Sequence, residues 1–204
     1  MTRSPEFDRS KAVDGALRLF WRKGYQASSL TDLLSAMGIG RSSFYATFTD
    51  KRGLFIECLD LFAQRTLDLL ERAHDGLSPV DALQAFFERD FVGARGARGQ
   101  WGCMLVSTVL EMAGVDDDLA ARASRHLDRV QQLFRTFLQD AGAPPPLAGD
   151  LAALLMLVNE GVRVSSRREP PDLGRLQPIA TIFRLVRSAI ANPIVPELTR
   201  EITV

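Results

Sequence analysis

The chain has 204 residues, 46% of them apolar, and its 25 Lys and Arg balance its 25 Asp and Glu to a formal net charge of zero. That length suits one domain, or a small domain joined to a larger one, with a sizeable core. No apolar run reaches the roughly 18 residues of a membrane span, and the start "MTRSPEFDRS" lacks the apolar stretch of a secretory signal. Cys58 and Cys103 give neither a metal spacing nor a disulfide framework, which points to a reducing cytoplasm. The charge is unevenly spread: residues 1–52 hold nine Lys and Arg against five acids, and the remainder holds sixteen against twenty. A basic end on a mildly acidic body is the asymmetry expected where one end meets a polyanion.

Helical periodicity runs through nearly the whole chain. Val13, Leu17, Phe20 and Trp21 mark one face of a first helix over about residues 7–23, closed by Gly24. In "SSLTD", Ser29 is an N-cap with Asp32 three residues on, a capping box for a second helix that carries Leu30, Leu33, Leu34 and Met37 and ends at Gly38. A short third helix spans about residues 41–48, and Asp50 caps a long fourth bearing Leu54, Phe55, Cys58, Leu61, Phe62, Leu69 and Leu70. A fifth follows Gly76 and Pro79, "GARGARGQWG" (93–102) reads as a flexible link, and "CMLVSTVLEMA" forms a sixth that stops at Gly114. "DDD" (116–118) opens a seventh, which ends at Gly142 and the prolines at 144–146. The eighth, about 147–168, begins "LAALLMLV", apolar all round as in a helix buried on more than one side. The ninth carries Leu176, Ile179, Ile182, Phe183, Val186 and Ile190 and ends before Pro193. With nine helices, no strand alternation and no repeats, the fold class is all-α.

Residues 29–48 thus lay out a helix, a glycine-centred turn and a second, short helix. Gly38 stands where the turn calls for positive φ, and Ile39 and Phe44 point back to lock the two helices together. The other side of the third helix presents Arg41, Ser42, Ser43, Tyr45 and Thr47, groups that bond phosphate oxygens or base edges on an element that fits the major groove. A helical hairpin whose polar face is merely solvated is the plainer alternative. Lys51 and Arg52 stand at the dipole-unfavourable end of the fourth helix, a placement that suits a helix terminus facing phosphate.

The stretch "GYQASSLTDLLSAMGIGRSSFYATFTDKRGLF" (24–55) resembles the DNA-binding segment of the TetR family of bacterial transcriptional regulators. The resemblance rests on Gly-Tyr after the first helix, a hydroxyl cap, an Asp in the second helix, Gly at the turn, Phe-Tyr on the third, then Phe48 and a Lys. Gly40 departs from it, standing where a Ser or Thr cap is usual, and so does Leu34, standing where a small Ala is usual. The resemblance implies a helix-turn-helix domain over 1–49 and an effector-binding and dimerisation domain over 50–204. It also implies DNA contacts from Thr31, Arg41, Ser42, Ser43, Tyr45, Thr47 and Lys51. Tyr45 and Lys51 would grip phosphates, while Arg41 and Ser43 would read bases.

The expected partners are double-stranded DNA bearing a palindromic operator, a second copy paired through the eighth and ninth helices, and an unidentified small-molecule effector. Two-fold pairing also follows from the DNA side, since one short recognition helix reads few base pairs. Candidate ligand-binding residues are Phe62, Phe87, Trp101, Cys103, Ser107, Glu111, Phe134, Asn159 and Arg163. For the aromatics the alternative is core packing. Ser107, Glu111, Asn159 and Arg163 are polar residues in apolar helices, at i, i+4 spacing, that would line one cavity. Glu111 with Arg163 could equally form a structural ion pair. Cys103 is either a thiol sensor of oxidants or electrophiles at a helix N-terminus, or inert filling; Cys58 reads as packing. No nucleophile–base set, cofactor motif or metal spacing is present, and His74 and His126 are isolated. The sequence therefore reads as a DNA-binding regulator, a repressor before an activator, that is not an enzyme. The competitor from another class is an all-helical enzyme or ligand carrier without a DNA role.

Overall fold

The computed structural model describes residues 7–92, 101–168 and 176–193, and among them there is no strand. The helices are α1 (Arg9–Lys23), α2 (Leu30–Met37), α3 (Arg41–Thr47), α4 (Lys51–Ala73), α5 (Pro79–Val92), α6 (Met104–Met112), α7 (Asp117–Asp140), α8 (Pro145–Arg168) and α9 (Leu176–Ala191). Among the described residues no helix is long and apolar enough to cross a membrane.

Local chemistry sets most of these boundaries. Asp8, Ser29, Asp50 and Asp116 each cap the helix that follows by accepting a backbone N–H, and Ser29 and Asp32 complete the reciprocal capping box. α2 closes on Gly38 in the left-handed region (φ 67°), with the Ile39 N–H reaching back to the Leu34 carbonyl at 3.2 Å. The structure corrects the reading of the triple proline as a break before the eighth helix: α8 already starts at Pro145. First-turn prolines are tolerated because their missing N–H would have no partner inside the helix anyway.

The apolar side chains form two clusters. The first joins Phe20, Leu33, Phe44 and Phe48 of the first three helices to Leu54, Phe55 and Leu59 on α4, to Met104, Leu105 and Met112 on α6, and to Leu119 on α7. The second joins the far half of α4, through Leu67 and Leu70, to α5, the far half of α7, α8 and α9. Packing therefore does not stop where α3 ends. α4 and α7 run through both clusters, and α6 belongs to the first.

In the single chain α8 is not covered all round, although its opening run is apolar on every side. Ala153, Leu154, Leu157, Gly161 and Val164 lie along one exposed stripe, with Leu154 at 50% and Leu157 at 67% exposure. The prediction of a flexible link at 93–102 falls mostly outside the described residues. Its end is held, because the Trp21 Nε1–H donates to the Gly102 carbonyl at 2.8 Å.

Candidate nucleic-acid interface

α3 is a seven-residue helix anchored on one side. Phe44 is wholly buried, and Phe48, its C-cap, is 4% exposed, the two rings lying 5.6 Å apart. Gly40 supplies no side-chain cap, as the sequence implied. With these two rings inward, Arg41, Ser42, Tyr45 and Thr47 are exposed while Ser43 is half-buried. The Tyr45 ring stands edge-on against Phe44 (5.3 Å, 89°), which steadies an otherwise exposed side chain. Thr31 is exposed in the first turn of α2.

Lys51 and Arg52 are adjacent but differently engaged. The Lys51 ammonium lies 4.6 Å from the centre of the Tyr25 ring, which itself packs on Phe55 at 4.9 Å. Burial lowers the pKa of Lys51 below its ordinary value, and the nearby Glu111 carboxylate partly opposes that shift. Arg52 instead reaches Asp116, with Nε–H and Nη2–H donating at 2.7 and 3.0 Å. Those hydrogen bonds hold the Asp116 carboxyl below its usual range. The placement of Arg52 at this helix end, which in the sequence suits a terminus facing phosphate, has another explanation in the structure: its forked guanidinium is spent on Asp116, the N-cap of α7.

The charge count needs a similar correction. Arg9 makes a two-pronged pair with Glu57 at 2.6 and 2.8 Å, Lys23 pairs with Asp32, Lys11 with Asp8, and Arg52 with Asp116. The Lys11 and Lys23 pairs use acids already counted in residues 1–52, so only Arg9 and Arg52, paired with Glu57 and Asp116, reduce the basic excess, and Arg41 is the base that α3 carries on its exposed side.

Two residues that position this region had gone unremarked in the sequence. Ser28 is fully buried and its hydroxyl donates to the Gly24 carbonyl at 2.6 Å, closing the turn between α1 and α2. Gly15 lets that helix pair approach closely, because a Cβ there would run into the Ala36 carbonyl. A glycine inside an apolar helical face is the signal that could have revealed the second.

The candidate ligand-binding residues do not converge. Phe62 packs edge-on to Trp21 at 5.0 Å and belongs to the first cluster with Cys103, while Phe87 and Phe134, 5.6 Å apart, belong to the second. Trp101 is half-buried against Trp21, and Ser107 is half-buried on α6. Asn159 is buried and its amide approaches Met156 Sδ at 3.9 Å. The side chain of Arg163 lies outside the described residues. Glu111 is seated elsewhere: its two oxygens accept the backbone N–H groups of Tyr25 and Gln26. Cys103 is 5% exposed at the N-cap of α6, and burial pushes the Cys58 thiol up, away from the reactive thiolate.

A groove of about 540 Å³ runs between α4 and α7, lined by Glu57, Asp60, Leu61, Gln64, Arg122, His126 and Arg129. Within it Asp60 accepts from Arg122 and lies 2.7 Å from His126 Nε2. Burial raises the Asp60 pKa, and these partners outweigh it, leaving it below the ordinary value. None of the sequence candidates lines this groove. No group of three or more possible metal ligands occurs among the described residues.

Comparison with known proteins bears on both halves of the chain. Residues 12–58 match the model of bacterial regulatory proteins of the tetR family, and residues 79–171 match that of the LmrA/YxaF-like transcriptional regulator C-terminal domain. The HTH-type transcriptional repressor ComR of Escherichia coli is 33% identical over 191 residues, 88% of this chain and 89% of ComR. YezE of Bacillus subtilis, an uncharacterized HTH-type transcriptional regulator, is 28% identical over 87% of this chain and 94% of its own. Among solved structures, a cysteine-substituted form of the TetR family regulator CifR, complexed with 26bp double-strand operator DNA, is similar with a TM-score of 0.73 and 27% identity. That likeness covers 91% of this chain and 99% of CifR. SCO4454 of Streptomyces coelicolor shares the fold, with a TM-score of 0.76 at 17% identity over 87% of this chain and 95% of its own.

Proposed function

Because the chain belongs to the tetR family of bacterial transcriptional regulators, we propose that it is a repressor that binds a palindromic operator as a homodimer and is released by a small-molecule effector. The observation that carries the DNA-binding reading is the outward polar side of α3, held in place by the buried Phe44 and Phe48. Arg41 and Ser43 are assigned to base readout, Tyr45 and Lys51 to phosphates, and Thr31, Ser42 and Thr47 to further contacts on the duplex. ComR, a repressor, and operator-bound CifR support the same reading.

Pairing through α8 and α9 is supported by the exposed apolar stripe on α8 and by Leu185, 65% exposed, on α9. Two recognition helices set about 34–36 Å apart would then meet successive major grooves on one side of a duplex. The effector acts by preferring a dimer whose helices miss that spacing. Of the candidate ligand residues, Phe87 and Phe134 share the second cluster and the Asn159 amide approaches Met156 of that cluster, so these three are the ones carried forward.

Fluorescence anisotropy with synthetic duplexes tiling the DNA upstream of the chain's own gene tests this reading. The expected result is salt-dependent binding of two chains to one duplex, competed by that duplex far better than by random sequence. Equal affinity for every duplex, or none for any, would count against it.

A further inference from the structure

α6 is tied to the DNA-binding end of the molecule on either side and in its last turn. Ahead of it, Trp21 donates to the Gly102 carbonyl. Just past it, Asp116 holds Arg52 of α4. In its last turn Glu111 accepts from the Tyr25 N–H at 2.9 Å and the Gln26 N–H at 2.7 Å, residues more than 80 positions away in the chain. This last contact differs in kind. A carboxylate on two consecutive main-chain N–H groups restrains the conformation of the turn itself, and such charge-assisted bonds are the stronger sort.

The turn is built around that carboxylate. Gly24 sits at φ 84°, and a Cβ there would come within 2.6 Å of Glu111 Oε2, so a side chain is disfavoured both by the backbone and by the occupant of the space. The next residue, Tyr25, is the platform under Lys51 and packs on Phe55. Beyond it the chain enters α2 through Ser28 and the capping box of Ser29.

We propose that Glu111 is a positioning residue for DNA binding, holding the turn at residues 24–26 so that α2, which follows it, is set for the duplex while Lys51 keeps its own seat on α4. The inference rests on the DNA-binding reading above. It assigns to Glu111 a role that neither cavity lining nor pairing with Arg163 would give it.

The test compares wild type with Glu111→Gln and Glu111→Asp, all full length, on the tiled upstream duplexes. In Glu111→Gln one oxygen becomes an NH2 group facing a backbone donor, so about tenfold weaker operator binding is expected. The slope of log affinity against log salt stays at the wild-type value, because no phosphate contact is lost. Glu111→Asp, which keeps the carboxylate, recovers part of the affinity. Amide hydrogen exchange at Tyr25 and Gln26 speeds up in Glu111→Gln while the thermal midpoint of the whole chain holds. Affinity within twofold of wild type, or a loss that merely follows a fall in folded fraction, overturns the proposal. So does a salt slope that drops by about one, since Glu111 would then be reporting a lost phosphate contact. Failure of the wild type to bind any duplex instead removes the DNA-binding reading, and this role with it.

Discussion

The outward side of α3 presents Arg41, Ser42, Tyr45 and Thr47, whereas the outward side of α8 presents Ala153, Leu154, Leu157 and Val164, with Leu185 exposed on α9. The first surface is content in water, because its groups are hydrated when nothing covers them. Its partner has to be argued from the chemistry of the groups and from kinship. The second is not content, since each leucine left in water forgoes roughly 1.5–3 kcal/mol of burial. Its need for cover is thermodynamic, and that supports the pairing proposed for α8 and α9 whatever the chemistry of the partner. One surface therefore reveals what it binds, and the other that it binds.

If that contrast is right, removing what supports the polar surface should cost more than changing anything on it. Phe44→Ala empties a fully buried site in the first cluster, and a loss of about 3–5 kcal/mol is expected in urea or thermal unfolding. A loss below about 1 kcal/mol would mean that α3 is not held outward by Phe44. On the apolar surface, Leu157→Glu should cost about 3 kcal/mol or more of pairing free energy, because a charge would be trapped between copies. Sedimentation should then find monomer, helix content should be unchanged, and operator affinity should fall roughly 100-fold. A dimer that persists would assign the stripe to some other partner.

Changes on the polar surface itself are smaller and differ from one another. Arg41→Ala should lose about 1–3 kcal/mol on the operator and relax discrimination if it reads a guanine. Equal losses on operator and random duplex would remove that role. Lys51→Ala should weaken all duplexes alike and lower the salt slope by about one. Its perch on Tyr25 makes part of that loss a loss of packing.

What could be read from the sequence was what neighbouring residues decide among themselves. The capping box at Ser29 and Asp32, the positive φ at Gly38, the inward Phe44 and the missing cap at Gly40 are all settled within a few residues, and the structure has each of them. The illegible part was what the tertiary fold brings together. Glu111 was recognised as a polar residue out of place in an apolar helix, yet nothing near it says that its partners are Tyr25 and Gln26. For Arg52 the sequence offers only a basic residue at a dipole-unfavourable helix end, which suits a terminus facing phosphate, because helix dipoles are local knowledge and the position of Asp116 is not. The candidate ligand residues scattered for the same reason: aromatic residues at helical spacing say which face is buried, not which of two clusters it is buried in.

The two surfaces are joined by α4 and α7, the helices common to both clusters, and Asp60 sits on the seam between those helices. Its pKa lies below the ordinary carboxylate value once the hydrogen bonds from Arg122 and His126 outweigh burial. A lowered folded-state pKa means that the ionised form stabilises the fold. That contribution is complete above the unfolded value of about 4 and fades as pH falls through the folded one. The site is more than a third exposed, so solvent screening keeps the contribution at pH 7 to about 1 kcal/mol at most. Asp60→Asn should therefore unfold at lower urea than wild type at pH 7, and the gap should close on the acid side of pH 4. If the gap is the same at pH 7 and pH 3, the cost of the substitution is packing rather than charge. The α4–α7 seam would then join the two surfaces by shape alone.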